Sequence, residues 1–111
     1  MNPLLLIDTF YPCINITIAP EIPDSVVSMK SAFRYCETLV TPPPVIPASV
    51  ENLFHAFRGC KKLTGTIEIN GDPIDCSAFE DTELPIVITG SCSEETKREL
   101  AESANNGNVT Y

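Results

Sequence analysis

The sequence predicts an α/β domain: a short right-handed solenoid of about four coils, with a parallel sheet on one face, short helices on the other and a capping helix at the C-terminal end. Three observations predict it. A segment recurs with a period of 24, so that Pro23-Asp24-Ser25-Val26 stands over Pro47-Ala48-Ser49-Val50 and Cys36 over Cys60. Short alternating aliphatic stretches separate the copies, as strands with one buried face require. The segment after Gly90 carries helix start and stop signals of its own. The whole of 1–111 is expected to form one domain, with repeat coils over about 4–90 and the capping helix and tail over 91–111.

The central pair of copies shares the pattern I-P-x-S-V-x-x-(M/L)-x-x-A-F-R-x-C-x-x-L. Met29 stands over Leu53, Ala32-Phe33-Arg34 over Ala56-Phe57-Arg58 and Leu39 over Leu63. Two degraded copies flank the pair. Upstream, Phe10, Cys13 and Ile16 keep the spacing; downstream, Ala78-Phe79 is followed by Thr82 in the cysteine position. Degraded ends suit a stacked array, whose terminal units meet water on one side.

Within a copy, Val50, Leu53, Phe54 and Phe57 show the i, i+3, i+4, i+7 spacing of a buried helix face, and Phe and the Cys three later share one side of a turn. Ser25 and Ser49 are the candidate N-caps. The strand candidates are Ile14-x-Ile16-x-Ile18, Ile67-Glu68-Ile69 and Leu84-Pro85-Ile86-Val87-Ile88. Thr41-Pro42-Pro43-Pro44 interrupts the second strand and predicts a short or bulged one, because Pro cannot donate to a ladder. In the C-terminal segment Ser93 is the N-cap, Glu94 and Glu95 suit the positive end of the helix dipole, and Thr96 takes the place of a capping-box Glu. Leu100, Ala101 and Ala104 offer the apolar face of a lid over the last repeat. Asn105-Asn106-Gly107 supplies a left-handed stop, and Asn108-Val109-Thr110-Tyr111 a final strand.

The A-F-x-x-C-x-x-L core followed by I-P-x-S-V resembles the leucine-rich repeats of the BspA-like type, a bacterial surface-protein family, over roughly residues 6–88. Met29 and Leu53 depart from the family's more usual Ile-Gly step and suggest a longer helix. The resemblance implies a non-enzymatic module that binds a protein or glycan, as part of a bacterial surface, secreted or phage-tail-like protein with a role in adhesion. A structural spacer or oligomerisation block, self-associating through the solenoid ends, is the alternative; Leu4-Leu5-Leu6-Ile7 would then be the exposed apolar edge.

Composition narrows the partner. Seven Lys and Arg against 15 Asp and Glu give a formal charge of −8, which repels nucleic-acid phosphates and anionic lipid. The run Leu4-Leu5-Leu6-Ile7 is too short for a signal-peptide core or a membrane span, so membrane insertion is not expected and localisation stays open, the resemblance favouring surface or secretion. Ligand contacts are expected on the sheet face, at the outward positions Thr17, Val45, Thr66, Glu68 and Val87, a one-residue slip of register exchanging inward for outward.

No catalytic, metal or cofactor site is expected. His55 is the sole imidazole and reads as a structural residue on a repeat helix, beside Phe54. No phosphate-binding loop or H-E-x-x-H occurs, and the adjacent carboxylates Glu80-Asp81 and Glu94-Glu95 read as solvated. Cys13, Cys36 and Cys60 are expected as an inward ladder of small buried residues. A disulfide between neighbours or a soft-metal site is the functional alternative, although no C-x-x-C is present. Cys76 and Cys92, outside the ladder, are candidates to pair across the last repeat. The sequons at Asn15 and Asn108 and the Asn70-Gly71 turn signal point to no function.

Overall fold

The computed structural model describes residues 4–13 and 15–111. Its elements are β1 (Leu4–Leu5), β2 (Val26–Ser28), β3 (Val45–Ile46), β4 (Gly65–Ile69), β5 (Ile86–Thr89), α1 (Glu94–Ser103) and β6 (Val109–Thr110). Among the described residues every strand pairing is parallel. One sheet runs β3-β4-β5-β6, with Val45 opposite Glu68, Thr66 opposite Val87 and Val87 opposite Thr110. The other pairs β1 with β2, and single bridges carry its line onward from Ser28 to Asn52 and from Asn52 to Asp75. Among the described residues the result is a small α/β fold with two parallel sheets and one helix.

The short helices expected in each copy are not formed among the described residues; a second parallel ladder and tight turns stand in their place. Three polar residues at equivalent positions explain this. Ser28 Oγ, Asn52 Oδ1 and Asp75 Oδ1 accept the backbone N–H two residues on, at 3.3, 2.8 and 3.0 Å. Such a bond captures the chain in a turn that competes with the helix. The left-handed residues Ser31 (φ 54°) and His55 (φ 54°) follow three later in the first two copies, and no α-helix passes through them. The backbone then pairs between copies. Phe33 N–H donates to Ala56 O at 2.8 Å, Phe57 N–H to Ala78 O at 2.9 Å, and Ser31 and His55 donate likewise to Phe54 O and Ser77 O. Ser25 and Ser49 therefore cap no helix, His55 lies on a turn, and Phe54 is half-buried instead of core.

What the apolar spacing did locate is the interior. Met29, Phe33, Cys36 and Leu39, and their equivalents Leu53, Phe57, Cys60 and Leu63, are all fully buried. Phe10, Phe33, Phe57 and Phe79 form a continuous stack with centroid separations of 4.8, 5.5 and 5.4 Å and interplanar angles below ten degrees. That repeat distance follows from the spacing of parallel strands, which sets how far apart equivalent side chains stand.

The strand expectations hold in part. The Pro42-Pro43-Pro44 interruption leaves an isolated bridge from Ile18 to Thr41 and the two-residue β3. Ile14 lies outside the described residues, and the alternation expected around it slips, for Ile18 is 67% exposed while Ala19 is buried. At the C-terminal end Ser93 caps α1, its Oγ accepting Thr96 N–H at 3.1 Å, and Asp72 Oδ1 receives both Ser93 N–H and Thr96 Oγ1–H at 2.8 Å. The helix ends on Ala104 in an extended conformation, so the left-handed Gly107 (φ 74°) falls three residues beyond the C-cap. Leu100 is buried, and Ser103 Oγ accepts Phe79 N–H at 3.1 Å, as Ala56 O accepts that of Phe33. The helix thus fills the place that turns occupy in earlier copies, and β6 follows as one more strand.

Candidate functional site

The outer face of the β3–β6 sheet is open to solvent. Val45, Thr66, Glu68 and Val87 are exposed on it, and Thr17 is exposed one copy earlier, its carbonyl accepting Val40 and Thr41 N–H. The pairing places Glu68 between Val45 and Thr89, and Val87 between Thr66 and Thr110. Glu68 is held in position by Asn70, whose amide donates to Oε2 at 2.8 Å while its Oδ1 accepts Ser91 N–H and Oγ–H.

Of the five expected contact residues, Thr66 alone borders the chief hollow of this face. That hollow, of about 440 Å³, lies where the proline interruption meets the start of β4, between Ile18, Thr41, Pro42, Pro44, Thr64 and Gly65, with Glu21 at its edge. A second depression, of about 310 Å³, continues past Pro44 and is bordered by Glu21, Asp24, Val45 and Pro47. Sequence reasoning treated the prolines only as a strand defect. A run of three Pro beside the exposed residues of one strand, with Gly65 opposite in the next copy, was the available signal.

The turn side carries His55, Arg34 and Arg58. Arg34 lies 5.5 Å from the Tyr11 ring and 5.0 Å from that of Tyr35, Arg58 Nε is 3.6 Å from Asp81, and His55 Nε2 is 3.3 Å from Glu80 while its ring stacks on Phe54. Burial lowers the His55 pKa below its ordinary 6.5; Glu80 opposes the shift, and Arg58 and Arg34 add to it. The unfolded chain therefore takes up the His55 proton first as pH falls. Its contribution is complete above pH 6.5 and is lost as pH drops through the lower folded value. Thermal melts from pH 7.5 to 5 should show Tm declining from about pH 6.5 downward, and His55→Asn, which keeps a residue suited to positive φ, should flatten that slope. An unchanged slope in the variant would assign the effect to other groups.

The five thiols are free. Cys36 Sγ donates to Phe10 O at 3.1 Å and Cys60 Sγ to Phe33 O at 3.0 Å, each reaching the preceding copy. Thr82, in the same position, donates instead to Phe79 O of its own copy and accepts from Asn108 Nδ2. Burial drives the Cys60 thiol far above the usual thiol range, pushes Cys76 up to about 12 with Glu99 adding to it, and raises Cys36 and Cys92. Because the thiolate is the reactive form, iodoacetamide at pH 8 should label half-buried Cys13 first and Cys60 last. In guanidinium all five should react alike. Equal native rates for Cys13 and Cys60, read by peptide mass mapping, would refute the buried ladder.

Among the described residues no group of three or more His, Cys, Asp or Glu is placed to hold a metal ion, and no helix is long and apolar enough to cross a membrane. No known protein family, curated protein sequence or solved structure matches the chain.

Proposed function

We propose that the chain is a non-enzymatic binding module, built as a right-handed solenoid of the BspA-like leucine-rich-repeat type, whose open sheet face recognises another protein. The period of 24 between the two strong copies and the backbone bonds that join equivalent residues of successive copies support the solenoid. The single observation that carries the binding role is the apolar hollow on the exposed sheet face, beside the outward Val45, Thr66, Glu68 and Val87. An exposed apolar patch rimmed by polar residues is a common form of protein-interaction site. It favours a protein over a glycan, since no aromatic ring borders it for a sugar to stack upon. Placement at a bacterial surface, in a secreted protein or in a phage-tail-like assembly rests on the family resemblance.

Photocrosslinking tests this. With benzoylphenylalanine placed at Val87 or Thr66, and in a control at Glu95 on the exposed side of α1, irradiation in source-cell extract should yield a discrete protein adduct from the sheet positions only. Adducts from Glu95 alone would move recognition to the helix.

A spacer or oligomerisation role is the second reading, favoured by Leu4, Leu5, Ile7 and Tyr11, all exposed in the first layer. Sedimentation that depends on concentration, and loses that dependence in Leu5→Lys, would support it.

A further inference from the structure

The hollow on the sheet face is apolar in most of its lining and acidic along one edge. Gly65, at φ 117°, lends bare backbone to the lining, where an added Cβ would meet only Pro42 Cδ, at 3.9 Å. Ile18, 67% exposed, and Pro44 form sides that present carbon to solvent. Glu21 borders both depressions and Asp24 the second, and both are exposed. Among the described residues neither carboxylate is in an ion pair. None of the seven Lys and Arg residues lies in a strand or borders either depression. Carboxylates occur on the turn side and α1 as well, where several lie beside cations; Glu21 and Asp24 differ in bordering depressions that no cation borders.

We infer that this hollow takes an extended peptide segment of a protein partner, with one large apolar side chain seated over Gly65 between Pro42 and Pro44 and a neighbouring Lys or Arg directed at Glu21 and Asp24. The inference rests on the sheet-face binding reading and names its partner's chemistry. An apolar side chain leaving water supplies affinity, while the carboxylates, unscreened by any local cation, steer and select a basic neighbour. The same pair of carboxylates, on a chain of net charge −8, repels acidic and phosphorylated segments.

Selection of a displayed random octapeptide library against the folded chain tests it, with fluorescence polarisation of the recovered peptides. Recovered peptides should carry Phe, Trp, Leu or Ile within two positions of Lys or Arg and bind more weakly as salt is raised. Thr66→Trp, which fills the hollow from an exposed position, and the double variant Glu21→Lys with Asp24→Lys should each weaken binding by at least about tenfold. The double variant should also abolish the salt dependence. Unchanged thermal melts would show that both variants keep the fold. An empty selection, or peptides that are acidic or uncharged, overturns the inference. If uncharged peptides are recovered and Thr66→Trp still weakens them, the sheet-face reading survives that failure. Binding indifferent to both Thr66→Trp and Val87→Arg overturns the inference and the reading together.

Discussion

Phe57→Ala should lower stability by about 3–5 kcal/mol, a large part of the roughly 5–15 kcal/mol that holds a domain of this size together. Phe57 has no exposed surface and is stacked on both faces, by Phe33 at 5.5 Å and Phe79 at 5.4 Å. Removing its ring interrupts the aromatic column at its middle. The backbone of the flanking copies is tied by bonds between their turns such as Phe57 N–H to Ala78 O, so the neighbours cannot close the gap. Cavity cost then adds to lost transfer energy. Phe10→Ala is the comparison, because Phe10 ends the column, has its ring stacked on one neighbour, Phe33, and is only half-buried. It should cost about 1–2 kcal/mol, nearer to a partly exposed side chain. Urea unfolding should show the Phe57→Ala midpoint well below that of Phe10→Ala with little change in slope. Equal midpoints would mean that the column is not a shared core and that each ring is stabilised within its own copy.

The contrast between these two positions also shows what could be read in advance. Phe33, Phe57, Cys36, Cys60, Leu39 and Leu63 recur at one period, and burial is what keeps apolar residues in register along a chain; their interior position was legible. Which backbone groups pair was not. The i, i+3, i+4, i+7 spacing of Val50, Leu53, Phe54 and Phe57 reports which side chains face inward, and a chain turning through a left-handed residue at His55 satisfies that spacing almost as well as a helix. The discriminating signal was Ser28, Asn52 and Asp75, polar residues of turn-forming type at one position of three copies, each binding the N–H two residues ahead. The outward strand residues Val45, Thr66, Glu68 and Val87 followed from alternation, which works where strands run unbroken. It slipped at Ile18, where only a single bridge fixes the register. The hollow was illegible for a different reason: Ile18, Pro44 and Gly65 come from three successive copies, and only the stacking of those copies brings them to one edge. By contrast α1 was legible with its cap, because Ser93 and Thr96 act within one turn, although the reach of both to Asp72 was not.

Gly90→Ala should be the most damaging single-methyl change in the chain, costing about 4 kcal/mol or more and leaving little native protein at ambient temperature. Gly90 closes β5 at φ 105°, where an L-residue is strained by roughly 1–3 kcal/mol before any contact is considered. An added Cβ would also stand 2.3 Å from Ile69 O, 2.6 Å from Ile69 N and 2.8 Å from Ile69 C. Those are main-chain atoms of the adjacent strand, and Ile69 O already accepts Cys92 N–H at 3.1 Å, so neither side can withdraw without breaking the β4–β5 ladder. Gly107 separates the two causes. It too is left-handed, at φ 74°, but a Cβ there meets nothing within 4 Å. Gly107→Ala should therefore show the conformational cost alone, about 1 kcal/mol, and fold normally. Circular dichroism melts of the two variants beside the parent chain decide it. A Gly90→Ala protein that melts within a few degrees of Gly107→Ala would mean that the strands can part at Ile69. The parallel pairing of β4 with β5, on which the exposed Thr66, Glu68 and Val87 depend for their common face, would then be looser than its hydrogen bonds imply.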